Sequence, residues 1–226
     1  MPAPEERERA GGVPAVDPRG LASITGLVRC EEYDREALGE QITELTHTVY
    51  PHHDVYGQIV TVHAHVDCPP ARVFDYMADP LSLLEWTYSV RELRPANEPG
   101  VLVGVDAGRT PIYVRTVACR EALTVDYHCA WDQGDELWMV YLNRIVPAET
   151  VLKRPGSVVI WSNLRHPYYD ANPFPELSKP GREWVGDWWP FFYAGHTIEL
   201  ANLKAIVEYR YRNDLPPGPM LRAVTP

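Results

Sequence analysis

The central part of the chain alternates between apolar and polar residues and then changes to a helical pattern. From Val60 to Val66, valine or alanine fills every second position, between threonine and histidine residues. Such a period of two is typical of a β-strand with one buried face. Pro69 and Pro70 end strand pairing and fit the first turn of a helix. Apolar residues then recur at helical spacing, at Val73, Phe74, Met77 and Leu81. The pattern predicts a strand, a helix, a break at Asp79-Pro80 and a shorter helix that ends at Trp86.

Further elements are predicted on both sides of this unit. A helix is expected over 31–49, and six short strands separated by turn residues follow Trp86, as in an antiparallel meander. These strands are expected near 88–95, 100–107, 111–119, 122–130, 136–147 and 156–165. A long proline-rich loop over 166–186 leads to a last helix, which is expected to start at Asp187 as N-cap and to end near Arg210.

This order of elements predicts an α+β domain. An antiparallel sheet of seven strands must bury one face, and the long C-terminal helix is the only predicted element large enough to cover it. The predicted organisation is a disordered tail over 1–22, an N-terminal helical extension over 23–56, the main domain over 57–211 and a C-terminal tail over 212–226.

The unit after Gly57 resembles the opening of the SRPBCC superfamily, also called START or Bet v 1-like. The resemblance rests on the segment VHAHVDCPPARVFDYMADPLSLLEW, on the number of strands and on the terminal helix. It implies a helix-grip fold, in which a curved seven-stranded antiparallel sheet wraps around the long C-terminal helix. It also implies a deep, mostly apolar cavity for a hydrophobic or aromatic small molecule. Aromatase/cyclases, hydrolases, carriers and self-resistance proteins share this fold, so the motif indicates fold rather than chemistry.

Composition excludes several other classes of function. The 226 residues carry a formal charge of −10, and no cluster of Lys and Arg offers a grip on nucleic-acid phosphates. No apolar run reaches the roughly 18 residues of a membrane span, and the N-terminus lacks the apolar region of a secretory signal, so a cytoplasmic location is expected. Four separated cysteines show no CxxC pair, and neither GxGxxG nor P-loop motifs occur. No cofactor is expected.

Two polar residues interrupt the apolar side of the terminal helix. That side is formed by Trp188, Phe191, Gly195, Ile198, Asn202, Ile206 and Tyr209, with Phe192 and Glu199 next to it. Buried polar groups must find partners, so Glu199 and Asn202 are candidates for ligand contact. They are equally compatible with hydrogen bonds to the sheet, or with a place for Glu199 at the flank of the helix.

One polar residue also interrupts the apolar face expected for each of four strands. These residues are Thr116, Tyr127, Arg144 and Ser162. They are expected to line the cavity, although a one-residue slip reverses each face. An unpaired core charge is unfavourable, so Arg144 is expected either to pair with Glu199 structurally or to hold a substrate oxygen. In the second case, Glu199 or Tyr127 would transfer a proton.

The histidines fall into two groups. His63 and His65 lie two residues apart but face away from the predicted buried side, and the remaining residues of a metal motif are missing. No metal site is therefore predicted. His166 and His196 are expected at the cavity mouth, either as acid/base groups or as ordinary polar contacts. Trp188 and Phe192 belong to an aromatic run that either packs in the core or forms a wall for a planar ligand.

The resemblance and these candidates favour a cyclase- or aromatase-like enzyme of polyketide or other secondary metabolism. Its cavity would fold the substrate, and Glu199, Arg144 and Tyr127 would direct proton transfer and loss of water. The alternative is a non-catalytic protein that carries or sequesters a hydrophobic metabolite, as self-resistance proteins do. A third interpretation is a protein-interaction module that uses the N-terminal helix. The expected partners are a hydrophobic or aromatic small molecule and, as a further option, a second copy of the chain, with neither nucleic acid nor membrane.

Overall fold

The computed structural model describes residues 23–27, 39–42, 44–45, 58–88, 90–106, 110–131, 136–177 and 184–219. Seven strands are present: β1 (Ile59–Val66), β2 (Arg91–Pro95), β3 (Val101–Val105), β4 (Pro111–Cys119), β5 (Thr124–Trp131), β6 (Met139–Pro147) and β7 (Ser157–Leu164). In the described residues from Gln58 onward, four α-helices accompany them: α1 (Pro70–Ala78), α2 (Leu83–Trp86), α3 (Ala148–Leu152) and α4 (Phe192–Arg212). The short helix α3 was not predicted.

The strands form one open antiparallel sheet in the order β1-β7-β6-β5-β4-β3-β2. The first strand therefore pairs with the last, in a register that matches Ile59 with Leu164 and Val66 with Ser157. One face of the sheet, the inner face, packs against α1 and α4. The predicted α+β architecture with seven antiparallel strands and a long C-terminal helix is confirmed.

The sequence predicts the inner face correctly for β1, β4 and β5 but not for β6 and β7. In β6 the buried set includes Met139, Asn143 and Ile145, so Arg144 lies on the outer face and is exposed. In β7 the buried set is Ser157, Val159, Trp161 and Asn163, which places Ser162 on the outer face. Both predicted faces are wrong because successive side chains of a strand alternate, so an error of one position exchanges the two sides.

Helices α1 and α2 form a compact unit between β1 and β2. Pro70 occupies the first turn of α1, and the Asp79 carboxylate accepts a hydrogen bond from the Leu81 amide at 3.0 Å, which starts a 3-10 turn at Pro80–Ser82. Helix α2 ends at Trp86, which is 1% exposed. The unit predicted after Gly57 thus holds a large tryptophan against the inner face.

The C-terminal helix begins later than predicted. A 3-10 segment spans Val185–Phe191, and Asp187 lies exposed within it rather than at a helix N-cap. Pro190 lacks an amide hydrogen, so regular α-helical hydrogen bonding starts only after it. Residues Val185–Phe191 therefore cross the edge of the core as a separate, aromatic-rich segment.

The far end of α4 is fixed to the end of β1. Glu208 is buried and accepts a hydrogen bond from the Asp67 amide at 2.7 Å. Lys204 pairs with Glu208 and donates to the His65 carbonyl at 2.9 Å. Burial raises the pKa of Glu208. The hydrogen bond from the Asp67 amide and the positive charge of Lys204 outweigh this effect and hold the pKa of Glu208 below its usual value.

The loop before α4 is largely structured. It contains 3-10 turns at Pro167–Tyr169 and Pro175–Leu177. A Cβ atom at Gly186 would lie 1.9 Å from the Tyr169 carbonyl oxygen, so only glycine permits this approach. The Trp184 indole also donates to the Tyr168 carbonyl at 2.6 Å.

Part of the predicted N-terminal helix falls within the described residues. Residues 39–42 and 44–45 are helical, and Ile42 packs with Ala194 and Ile198 of α4. The rest of the predicted helix over 31–49, and the predicted tail over 1–22, lie outside the described residues.

Candidate functional site

A cavity of about 110 Å³ lies between the inner face of the sheet and the first turns of α4. This volume is enough for several water molecules or part of a small organic molecule. Its lining comes from α2 and the residues after it, from strands β4 to β7, and from Trp188 to Glu199. The lining residues are Leu83, Trp86, Thr87, Tyr88, Val90, Ile112, Val114, Tyr127, Cys129, Trp131, Tyr141, Trp161, Trp188, Phe191, Phe192, Gly195, His196 and Glu199.

Aromatic rings form most of the wall. Trp86 meets Trp161 nearly edge to face, with ring centroids 5.4 Å apart. On the other side of Trp161, the His196 ring lies with its centroid at 4.2 Å, and Phe192 packs against His196 at 5.3 Å. Rings that support one another in this way hold their faces and edges in fixed directions. The aromatic rings of the cavity wall are therefore held in fixed positions.

Glu199 is the acidic group of the cavity. It lies on α4, its side chain is 8% exposed, and Oε1 accepts a hydrogen bond from the Tyr88 amide at 3.3 Å. Burial raises the pKa of Glu199 to about 8, against the opposing effects of the Tyr88 amide and the positive charge of Arg91. A carboxyl group with such a pKa exists in both protonation states near neutral pH, as acid/base catalysis requires.

His196 lies one turn before Glu199 on α4 and is also buried. Burial lowers the pKa of His196 to about 3 because the apolar surroundings disfavour the imidazolium ion. The ring is therefore neutral at physiological pH and offers one donor and one acceptor nitrogen. It can orient a ligand but does not supply a positive charge.

Tyr127 reaches the cavity as predicted, but its hydroxyl group is already engaged. The hydroxyl donates to the Met77 carbonyl of α1 at 2.7 Å. Burial raises the pKa of Tyr127 far above the physiological range. Its ring therefore contributes a wall, while its hydroxyl ties β5 to α1.

Asn202 and Thr116 lie on the buried side but do not line the cavity. The Asn202 side-chain amide donates to the Trp86 carbonyl at 3.1 Å, which joins α4 to the end of α2. Thr116 follows Ile112 and Val114 on the inner face of β4, and within the described part of the chain its buried hydroxyl has no hydrogen-bond partner. Asn202 thus positions the cavity wall rather than the ligand.

Three other predicted residues lie away from the cavity. Arg144 is exposed on the outer face, so the predicted pairing with Glu199 is wrong. The Ser162 hydroxyl shares a hydrogen bond of 2.8 Å with Thr61 on the same outer face. The His166 ring packs on Trp138 and Tyr168, with centroids 5.4 and 4.3 Å away, and does not reach the lining. Trp188 and Phe192, in contrast, line the cavity as predicted.

Sequence reasoning missed two important wall residues, Tyr141 and Trp161. Both belong to the strands whose faces were reversed, and their side chains point to the cavity from β6 and β7. One signal was available: each is the largest aromatic residue of its strand. Aromatic residues dominate the walls of ligand cavities, whereas the aliphatic residues of the opposite phase lie on the outer face.

Metal ligands do not cluster in the part of the chain that the structure describes, where no group of three or more His, Cys, Asp or Glu side chains meets. His65 faces outward, as predicted, and binds the Pro155 carbonyl at 2.9 Å. Nor does any described helix have the length and apolar character needed to cross a bilayer.

Comparison with known proteins adds structural neighbours only. No family model matches the sequence, and no curated protein matches it. Similar solved structures include an aromatase/cyclase from a Streptomyces species, at 14% identity and a TM-score of 0.47 over 68% of this chain and 94% of the other. They also include a START superfamily protein from Mycobacterium smegmatis, at 13% identity and a TM-score of 0.42 over 70% and 99% of the two chains. The Aha1 dimer from Colwellia psychrerythraea is a third, at 10% identity and a TM-score of 0.44 over 66% and 96%.

The chain's own topology decides the fold: an open seven-stranded antiparallel sheet, two short helices after its first strand, and a long C-terminal helix across its inner face. The chain has the helix-grip fold. This is the arrangement of strands and helices that the segment from Gly57 to Trp86 predicts. Because helix-grip proteins perform many different functions, chemistry must be argued from the cavity.

The role of Asn202 in the helix-grip fold gives a first prediction. We expect Asn202→Leu to lower the free energy of unfolding by about 1–3 kcal/mol, because the buried Trp86 carbonyl loses its donor. Urea unfolding followed by circular dichroism measures this loss. Thr197→Ala, at an exposed position of the same helix, is the control and should cost less than about 0.5 kcal/mol. Equal midpoints for Asn202→Leu and the parent would show that the bond does not stabilise the wall.

Proposed function

We propose that the chain binds a hydrophobic or aromatic small molecule in this cavity and acts on it as a cofactor-independent acid/base enzyme of the cyclase or aromatase type. The observation that carries the proposal is Glu199, a buried carboxyl group on the wall of an aromatic cavity. The resemblance to a superfamily that includes aromatase/cyclases supplies the reaction class, and polyketide or other secondary-metabolite intermediates are the proposed substrates.

In this proposal Glu199 is the catalytic residue. Its ionised form takes a proton from a carbon next to a ligand carbonyl, and the resulting protonated carboxyl gives a proton to a hydroxyl group that leaves as water. The proton is thus returned and no oxidant or reductant is required. The neutral His196 ring orients the ligand oxygen, and the aromatic wall holds the ligand in the reactive conformation. Proton transfer of this kind typically contributes about 10²–10⁴-fold to the rate.

A non-catalytic carrier is the second candidate, and one observation favours it. The hydroxyl of Tyr127 and the amide of Asn202 are both used in bonds to backbone carbonyls. Among the described lining residues whose pKa is shifted, Glu199 alone has a pKa near the physiological range, and a single carboxyl group suffices to orient a ligand without reacting with it. The two candidates differ in whether bound molecules exchange protons.

Exchange of the α-protons of 2-tetralone for deuterium tests the proposal. This bicyclic aromatic ketone has acidic C–H bonds, and NMR in D₂O follows the loss of their signal. We expect the protein to accelerate exchange, with a rate that rises as the pH approaches about 8 because ionised Glu199 is the base. Glu199→Gln should lower the protein-catalysed rate by about 10²-fold or more.

Asp187→Asn is the matched control, because it removes an exposed carboxylate from the segment that borders the cavity. It should leave exchange unchanged. If 2-tetralone binds but exchanges at the same rate with the parent and Glu199→Gln, the carrier function replaces the enzymatic one. If it does not bind at millimolar concentration, both functions fail for this class of ligand.

A further inference from the structure

The charged side chain in the cavity lining is acidic. Among the described lining residues, Glu199 is the only Asp, Glu, Lys or Arg. Arg91, whose positive charge acts on Glu199, lies outside the described lining. Its guanidinium group donates to the carbonyl oxygens of Thr87, Tyr88 and Val90, at 3.2, 3.2 and 2.6 Å. A ligand in this cavity therefore meets one acidic group and no basic side chain.

Ionised Glu199 forms no direct ion pair with a described residue, although the charge of Arg91 acts on it from outside the lining. Oε1 accepts the Tyr88 amide, but Oε2 has neither a hydrogen bond nor an ion pair with any described residue. His196, one turn away, cannot supply the charge because burial keeps its ring neutral. A carboxylate that is more than nine-tenths buried is costly to leave without a partner. A positively charged ligand would supply the partner that the ionised form of Glu199 lacks among the described residues.

The walls of the cavity suit a particular type of cation. Half of the lining residues are Trp, Tyr or Phe, and the faces of such rings carry partial negative charge that attracts positive ligands. A weakly hydrated organic cation gains from these faces and from Glu199, and it loses little hydration on entry. A metal ion would lose much more hydration and would find only one carboxylate ligand.

We propose that this cavity selects a hydrophobic or aromatic molecule that carries a positively charged nitrogen, such as a quaternary ammonium or a protonated amine, next to Glu199. The inference rests on the proposed function and specifies the charge of its substrate. Neutral molecules of the same shape leave the carboxyl group without its partner, and anionic ones meet a like charge. A bound cation also favours the ionised form of Glu199, which is the base in the proposed reaction.

Binding should depend on pH through Glu199. The titratable and charged groups around it are Tyr88, Arg91, Cys129, Tyr141 and His196. Burial holds the pKa of Cys129 and Tyr141 far above the physiological range and that of His196 well below it. Glu199 is thus the cavity group whose ionisation changes between about pH 6.5 and 8.5. A permanent cation should bind more tightly as the pH rises over this interval.

Phenyltrimethylammonium and tert-butylbenzene form a matched pair of probes, since they have the same shape and differ in charge. Tryptophan fluorescence or isothermal titration calorimetry measures their binding to the full chain. At about pH 8.5 we expect the cation to bind at least about tenfold more tightly than the neutral probe. Its affinity should fall about tenfold or more at pH 6.5, whereas that of tert-butylbenzene should not change.

Glu199→Gln should remove the preference and its pH dependence, and it should leave tert-butylbenzene binding within about twofold. Asp187→Asn should change neither, which excludes a general effect of surface charge. Equal or tighter binding of the neutral probe by the parent overturns the inference but leaves an aromatic-binding cavity in place. If neither probe binds, the inference and the proposed binding function both fail. A preference that persists in Glu199→Gln also overturns the inference.

Discussion

Glu199→Gln is expected to raise the free energy of unfolding at pH 9 by about 3–5 kcal/mol relative to the parent. The pKa of Glu199 is raised to about 8 in the folded protein from an ordinary value of 4.5. Between these values the unfolded chain releases the proton and the folded chain keeps it, so the stability of the parent falls as the pH rises. Glutamine does not titrate, so the variant avoids this loss.

Denaturant unfolding at several pH values from about 4 to 9 measures the effect. The difference between variant and parent should be small near pH 4 and should grow up to about pH 8. In the difference between variant and parent, the contributions of other titrating groups cancel. One such group is His196, whose lowered pKa costs stability as the pH falls below 6.5. Asp187→Asn should give a difference that hardly varies with pH. A constant difference for Glu199→Gln would mean that the carboxyl group titrates normally.

Trp86→Ala is expected to lower the free energy of unfolding by about 3–5 kcal/mol. Trp86 is 1% exposed, its ring packs on Trp161 and Tyr127 with centroids 5.4 and 6.0 Å away, and its indole donates to the Ser82 hydroxyl at 3.3 Å. Alanine removes these contacts and leaves a void that joins the existing cavity. Neighbouring strands cannot move inward to fill it without breaking the sheet.

Trp188→Ala is the matched control for this prediction, because Trp188 lines the same cavity but is 40% exposed. It should cost about 1 kcal/mol or less, since solvent already covers much of its ring. Chemical unfolding at pH 6 provides both values. A similar loss for the two tryptophans would indicate that Trp86 is not a central part of the core.

The inner face could be predicted for some strands and not for others, for a physical reason. In β1, valines alternate with threonine and histidine, so the buried phase is obvious. In β7 the outward phase (Val158, Ile160, Ser162, Leu164) is more aliphatic than the inward phase (Ser157, Val159, Trp161, Asn163). The inward phase supplies Trp161 to the cavity wall and the Ser157 hydroxyl to the Cys68 carbonyl, so the more aliphatic face points outward here. The usual hydrophobicity rule therefore selects the wrong side of β7.

Arg144 illustrates the same effect in β6. Each phase of this strand contains one polar residue, Asn143 in one and Arg144 in the other. On the predicted inner face, Arg144 suggested a functional charge in the core. The true inner face is the other set of alternate residues, so Arg144 simply points to solvent. Glu199 was placed correctly because α4 is 21 residues long. Its buried side is defined by many turns of the helix, whereas a strand of eight or nine residues offers about four positions per face.

The pairing of the first strand with the last has a consequence for biosynthesis. Thr61 and Ser162 are 101 positions apart, so β1 leaves the ribosome about 5–20 s before its partner at typical rates of translation. During this interval its apolar residues and both of its edges lack their final neighbours, since Lys204 and Glu208 of α4 emerge later still. β1 therefore cannot pair with the sheet during early synthesis, and a nascent chain stalled before Ser157 would expose an unpaired strand prone to aggregation.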